Sequence, residues 1–300
     1  MSLRTIAILS PGDMGHSVGK VLYDNGFDVL TCLSGRSVRT AELAKVGNFR
    51  IVETMDQLVV EADIILSILV PDRAFDLANE VAESLARMGQ KTYFVDCNAI
   101  SPDSSIRIKK IIDDSGGIFV DGGIIGGSPA KGDTPRFYVS GNNANVMLPL
   151  DGKGIMVRVV GDKVGQASGI KMCYAALTKG TNTLHVALLA AAHKMGLSEM
   201  LREELSESQG SHLKVMENGI SKLPANSHRW IGEMEQISDT FESLGVTPLF
   251  HMGAAEIYRV LAATPFASET PETIDHERSA WETIKVAAQH MNRSKSEEYD

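Results

Sequence analysis

Cysteine is scarce in this sequence: three in 300 residues, Cys32, Cys97 and Cys173, widely spaced and with no C-x-x-C pair. Such spacing signals neither a zinc knuckle nor a disulfide framework, and it fits a reducing compartment. Dense Lys/Arg runs are missing as well. The formal net charge is -9 and the pI about 5.4, whereas nucleic-acid binders usually show a basic face. No nucleic-acid partner is expected. Long hydrophobic runs are also missing. The apolar run 6–9 is too short for a signal-peptide core and soon meets Pro11-Gly12. The most apolar later stretch, 184–192, is short and contains His185, so no membrane span is read there. These absences describe a soluble, cytoplasmic protein. No metal cluster stands out. His185 and His193 would lie roughly 80° apart on a helix, and "HERSAWE" (276–282) lacks the second histidine of a zinc-protease helix.

What is present is enough for a sizeable core, at 43% hydrophobic and an ordinary 22% charged. The length suits one large domain or two ordinary ones. The first half alternates. "TIAIL" (5–9), "FDVLTCL" (27–33), "ADIILSILV" (62–70), "TYFVDCN" (92–98), "IFVDGG" (118–123) and "RFYVSG" (136–141) read as strands. Residues 15–25, 39–47, 73–89 and 101–117 read as helices, with Gly26 and Gly89 at C-termini and Pro102 in a first turn. Strands separated by helices argue for βαβ units and a mostly parallel sheet. After about residue 165 strand-like alternation stops. A long apolar helix-forming run is followed by helical segments at 199–218, 229–244, 249–263 and 272–292, then a polar tail expected to fray. The expectation is an α/β domain over 1–163 and an all-helical domain over 164–300.

"ILSPGDMGHSVG" (8–19) follows a strand and opens a helix, the context that a dinucleotide-binding turn requires. In G-x-G-x-x-G the first glycine allows a tight turn, the second admits the pyrophosphate and the third allows close helix–strand packing. Gly12 and Gly15 hold the second and third places, and Ser10 holds the first, with Pro11 able to stiffen the turn. Asp13 is awkward beside an anion and is read instead as a helix cap. The alternative is a plain strand–turn–helix. The second strand ends in "CLSGRS", with no acid to hold ribose hydroxyls. Ser34, Arg36 and Ser37 lie where a 2′-phosphate would sit, and an arginine fork suits phosphate. NADP(H) is expected over NAD(H), unless Arg36 is only a solvated loop residue.

"SPGDMG", "ADIILSILVPD", "DCNAISP", "FVDGGIIGG" and "GQASGIKMCY" resemble, in order and spacing, the β-hydroxyacid dehydrogenase superfamily, which includes 6-phosphogluconate and 3-hydroxyisobutyrate dehydrogenases. The helical half resembles more narrowly the DUF1932 group, through "KMCYAALTKGTNTL" and "RWIGEMEQISDTFESLGVTPLFHMGAAEIYRVL". The resemblance implies a Rossmann domain, a helical domain, a homodimer through the helical domains, and a cleft for nicotinamide and substrate. By motif position Ser10, Pro11, Gly12, Asp13, Met14 and Gly15, then Leu69, Val70, Pro71, Asn98 and Ala99, would contact the cofactor. Lys171 matches the family's catalytic lysine, which exchanges a proton with the substrate oxygen. Gly165, Ala167, Ser168 and Gly169 just before it would let a bulky ring approach, and desolvation can bring a lysine toward useful acid–base range.

Three departures from the family pattern bear on substrate. Tyr174 stands where asparagine is usual. It shares a helix face with Lys171 and either assists the reaction or packs between helices. Ile125 replaces a serine before Gly126 and Gly127, whose amides remain able to cradle an anion. That change implies a larger or more apolar small-molecule substrate. In "SHRWIGEME" (227–235) the family's Lys-Asp places hold Gly232 and Glu233, so the lysine is missing. His228, Trp230 and Glu233 are then read as lining the pocket, with core or interface packing the alternative for Trp230. The activity implied is NADP(H)-dependent interconversion of a hydroxy acid, or related alcohol, with its carbonyl compound. An imine reductase or reductive aminase is the nearest rival, and a non-catalytic NADP-binding protein is another.

Overall fold

A computed structural model describes residues 3–270 and 273–291. The expected polar tail, from Asn292 on, lies outside the described residues. The chain divides into two compact units, Met1–Tyr174 and Ala175–Asp300.

The first unit holds eight strands: β1 (Thr5–Leu9), β2 (Asp28–Cys32), β3 (Arg50–Val52), β4 (Ile64–Ser67), β5 (Tyr93–Asp96), β6 (Ile118–Ile125), β7 (Arg136–Ser140) and β8 (Met156–Gly161). They form one sheet in the order β3-β2-β1-β4-β5-β6-β7-β8, parallel except for the antiparallel pair β6–β7. Five helices accompany them: α1 (Asp13–Asp24), α2 (Val38–Val46), α3 (Met55–Glu61), α4 (Ala74–Met88) and α5 (Pro102–Asp114). The pleat explains the short apolar strands. Ile6 and Ile8 enter one core with Val18, Leu22 and Val95, and Ala7 and Leu9 enter another with Leu30, Leu77 and Phe94. A strand buried on both faces loses the polar alternation of a half-exposed one.

β3, α3 and β8 escaped the sequence reading. β3 is three residues long with Arg50 and Ile51 exposed, and in β8 only Val157 is buried, so neither has a buried apolar run. The start of α3 did leave a signal. Thr54 accepts a hydrogen bond from the Gln57 amide at 3.1 Å, and Gln57 Oε1 accepts one from the Glu53 amide at 3.2 Å, close to a capping box.

α6 (Gln166–Lys194) begins in the first unit and ends in the second. The expected boundary at 163/164 marks the change from strand to helix, and the compact units divide later, inside this helix. The second unit continues with α7 (Ser198–Ser208), α8 (Gly210–Gly219), α9 (Pro224–Ser243), α10 (Leu249–Ala262) and α11 (Ala280–His290). The single helix expected over 199–218 is broken at Gln209, whose backbone turns to φ -137°, ψ 36°. α9 starts earlier than expected because Pro224 fits its first turn, where no amide is needed. α11 replaces the longer 272–292 helix and starts at the Ser279 cap, which accepts from the Glu282 amide. No described helix is long and apolar enough to cross a membrane.

One close approach depends on glycine. A Cβ added to Gly19 of α1 would lie 2.1 Å from Phe49 Cζ, and one on Gly47 would lie 2.5 Å from the same ring. Gly19→Ala improves helix propensity by about 1 kcal/mol, but displacing a core ring costs about 1–3 kcal/mol. A lower urea midpoint at unchanged slope is therefore expected, restored in part by pairing it with Phe49→Leu. A more stable single variant would overturn this account.

Candidate active site

β1 lies between β2 and β4, so the strand order reverses there, and the carboxyl ends of β2, β1, β4 and β5 stand side by side. Ligands of open α/β sheets bind at such a reversal. The sequence-predicted cofactor residues occupy these ends: Ser10 to Gly15 after β1; Ser34, Arg36 and Ser37 after β2; Leu69, Val70 and Pro71 after β4; Asn98 and Ala99 after β5.

Ser10 adopts φ +57°, a left-handed backbone that explains why glycine is usual there. The Gly12 amide donates to Ser10 O at 2.7 Å and tightens the turn. A Cβ on Gly12 would meet only Ser10 O, at 3.9 Å, so the space before the α1 amides stays open to an anion. Gly15 faces Ile8 Cγ2 at ordinary contact distance, as a packing glycine should. These residues fit a dinucleotide. Asp13 does not cap the helix: Gly12 is the N-cap, with no side-chain bond, and Asp13 pairs with Arg39 at 2.5 Å. Sequence reasoning missed Arg39. Its partner lies a helix and a strand away, 26 residues along the chain, and no local motif signals it.

At the end of β2, Ser34 and Ser37 are exposed, and Ser37 caps α2 by accepting from the Thr40 amide at 3.2 Å. Arg36 is largely buried. Its Nη2 lies 3.7 Å from Glu80 Oε2, and its Nε has no hydrogen-bond partner. Asn98 is buried and ties two strand ends together. Its Oδ1 accepts from the Leu69 amide at 2.7 Å and its Nδ2 donates to Ser67 Oγ at 2.9 Å.

The start of α6 is built around Asp121, which sequence reasoning passed over. This buried carboxylate accepts from the amides of Gly165, Ala167 and Ser168 at 2.9, 3.0 and 3.2 Å, and from Ser105 Oγ and Ser140 Oγ at 2.7 Å each. A carboxylate at a helix N-terminus satisfies amides that have no partner within the helix. Lys171 follows on the next turn. A Cβ on Gly123 would lie 2.8 Å from Lys171 Cβ, so the lysine stem rests on bare β6 backbone. The small residues before Lys171 serve packing rather than a ring. Ala167 and Ser168 are buried, and Gly165 and Gly169 face Pro102. Tyr174 is 43% exposed, so its ring is not buried between helices.

In the loop after β6, Ile125 is buried, Gly126 is exposed with φ +112°, and Gly127 lies under Asp133. Ser128 Oγ is 2.7 Å from Ser17 Oγ on α1, which joins this loop to the helix of the dinucleotide turn.

In the second unit, Glu233 is buried and pairs with Lys179 at 2.6 Å. Lys179 Nζ lies 5.6 Å from the Trp230 ring centre, and Trp230 meets Tyr258 edge-on at 5.3 Å. Trp230, partly buried, thus packs against both Lys179 and Tyr258. Sequence reasoning missed Lys179 as the partner of Glu233 because the two residues are 54 apart in the chain. Burial pushes the Tyr258 phenol well up, and the Glu233 charge adds to it. His228 is exposed, and partial burial followed by the Arg229 cation holds its imidazole below the usual value.

Residues 5–148 match the NAD binding domain of 6-phosphogluconate dehydrogenase, and residues 192–261 match a domain of unknown function, DUF1932. An uncharacterized 28.5 kDa protein of Methanothermus fervidus is 32% identical over 68% of this chain and 77% of its own. The chain belongs to the 6-phosphogluconate dehydrogenase-like branch of the β-hydroxyacid dehydrogenases. Among solved structures, the conserved protein MTH1747, of unknown function and similar in structure to 3-hydroxyacid dehydrogenases, is 27% identical. The match covers 86% of this chain and 96% of that one, with a TM-score of 0.63. The 3-hydroxyisobutyrate dehydrogenase of Mycobacterium tuberculosis shares the fold at 18% identity, with 95% and 99% coverage and a TM-score of 0.68. A reductive aminase from Aspergillus terreus shares it at 15% identity, with 86% and 93% coverage and a TM-score of 0.51. The N-terminal unit is thus an NAD(P)-binding, Rossmann-like domain of the 6-phosphogluconate dehydrogenase type.

A buried acid near the cofactor strands makes stability depend on pH. Burial pushes the Asp96 carboxyl up to about 7, against the Asn98 amide that holds it down and with the Asp121 charge adding to the rise. Folded Asp96 keeps its proton to about pH 7, while an unfolded aspartate loses it near pH 4. The native state then binds more protons between those values. Its stability is full below about pH 4 and falls as pH rises through that window. Asp96→Asn should lack this slope and gain roughly 1–4 kcal/mol relative to wild type between about pH 4 and 7. Urea midpoints taken across that range test this, and parallel profiles would refute it.

Proposed function

We propose that this protein is an NADPH-dependent reductase that interconverts a hydroxy acid, or related alcohol, with its carbonyl compound, using Lys171 as general acid/base. The observation that carries the reading is the seat of Lys171, on a helix start clamped by Asp121 and resting against Gly123 of β6. Bound nicotinamide supplies or takes the hydride. In the reducing direction the Lys171 ammonium gives a proton to the carbonyl oxygen, completing the hydroxyl, and in the oxidising direction the neutral amine takes it back. Exposed Tyr174 lies one turn from Lys171 and is the second donor in this reading.

The preference for NADP(H) rests on the end of β2. The segment 33–37 that follows β2 holds no acid, Arg36 keeps an unpartnered Nε beside the Glu80 carboxylate, and Ser34 and Ser37 are exposed. NADPH should bind about tenfold or more tightly than NADH, and Arg36→Ala should narrow the gap, because a guanidinium–phosphate pair is charge-assisted. Equal affinities in a fluorescence titration of the wild type would sink this preference. A homodimer through the helical unit is supported by large apolar side chains left exposed on it. Leu177 is 68% exposed, Leu249 68% and Phe250 77%.

The second reading, imine reduction, draws on the accessible Tyr174 phenol and on the fold shared with a reductive aminase whose structure holds NADPH and ethyl levulinate. NADPH oxidation against a panel of keto and aldehydo acids, with and without added amine, separates the two. Turnover without amine, reduced at least about 100-fold in Lys171→Ala, is expected for a carbonyl reductase. Turnover only with amine, surviving Lys171→Ala, would transfer the chemistry to Tyr174.

A further inference from the structure

We propose that Arg136, facing the bare Gly126 turn, is a further residue that binds an anionic group of the substrate, a carboxylate or a phosphate. The inference deepens the reductase reading, since it concerns what the site holding Lys171 accepts.

The register of β6 against β7 places the residues. Asp121 opposes Ser140, Gly123 opposes Tyr138 and Ile125 opposes Arg136. Opposed residues of an antiparallel pair point to the same face, and residues two apart on a strand share that face. One face therefore carries three successive rows. The first row, Asp121 with Ser140, clamps α6. The second, Gly123 with Tyr138, is the one on which the Lys171 stem rests. The third ends in Arg136, about 7 Å further along the strand. The other face of β7 presents Phe137 and Val139 to the core, so Arg136 is held at this place by a buried strand.

The guanidinium is half-buried, yet no hydrogen bond or ion pair holds it among the described residues. Asp133 is nearby, lying over Gly127, but the two side chains do not form an ion pair. Both terminal nitrogens of Arg136 lie 3.9 Å from the point where a Gly126 Cβ would stand. Gly126 is exposed and its φ of +112° disfavours any side chain there, so that space stays in front of the arginine fork. A fork of two N–H donors facing a bare, exposed glycine matches a planar carboxylate or a phosphate. The third row thus offers a cation where a buried isoleucine alone had suggested only an apolar wall. A substrate spanning the rows carries its reacting carbon near the second and its anion at the third, which favours chains longer than the shortest hydroxy acids.

The test is calorimetric titration of the full-length protein with malonate and, separately, with inorganic phosphate, with NADPH present to occupy any phosphate site on the dinucleotide turn. The wild type should bind one of the two saturably, and which one identifies the group. Arg136→Gln should weaken that binding about tenfold or more, and Arg136→Lys, which keeps the charge without the fork, should lie between. Unchanged thermal melting and NADPH affinity in both variants will show that fold and cofactor site are intact. Overlapping isotherms for wild type and Arg136→Gln, or no saturable binding of either anion to the wild type, would overturn the proposal. Arg136-dependent anion binding in a protein that fails to bind NADPH would leave the subsite standing and sink the reductase reading instead.

Discussion

The Asp121 carboxylate is the contact on which the join of β6, β7 and the start of α6 depends. It is buried, and a buried charge is costly unless it is fully hydrogen-bonded. Here three amides of the α6 start and two serine hydroxyls surround it. The same bonds satisfy helix amides that would otherwise lack partners. Lys171 inherits its position from this clamp, because only one turn of rigid helix separates them. Gly123 completes the arrangement by removing the side chain that would push the lysine off the strand.

A second constraint lies at the carboxyl ends of the parallel strands, where backbone conformation matters more than side-chain identity. Ser10 holds a left-handed backbone that costs a β-carbon-bearing residue about 1 kcal/mol. Such strain persists where the surroundings over-determine it, and it tends to collect at ligand sites. Asn98 makes the neighbouring ends rigid by bridging Leu69 and Ser67. The Ser17–Ser128 contact then links the turn before α1 to the loop after β6. The glycine-spaced turn after β1 and the loop that carries Gly126 are therefore mechanically connected within one unit.

The helical unit has its own polar centre. Lys179 and Glu233 are paired and largely buried, with Trp230 beside the ammonium. Removing one partner of such a pair leaves the other charge uncompensated, at about 3–5 kcal/mol. The Tyr258 hydroxyl donates to Lys179 O at 3.1 Å, which binds α10 to α6 around the same point. This cluster fixes how α6, α9 and α10 meet.

Much of this was legible locally. The alternation of short apolar strands with helices, the glycine-spaced turn after β1, the missing acid after β2 and the motif around Lys171 all lie within stretches of a few to thirty residues. Periodicity and turn chemistry act over that range, so the mostly parallel α/β class, the dinucleotide-type turn and the candidate lysine could be read from the chain. Edge strands such as β3 and β8 could not, because β3 is only three residues long and β8 buries Val157 alone, so neither shows the buried run or clean alternation of a central strand. Nor could the partners of the key side chains. Asp121 reaches an amide 44 residues away, and Lys179 reaches a carboxylate 54 residues away. Arg136 meets Gly126 only through the antiparallel register of β6 and β7. The sequence by itself determined the kinds of elements and the family to which the chain belongs. Only the tertiary structure decided which charges are clamped, which are paired and which is left facing open space, because those depend on strand register and helix placement that no local pattern encodes.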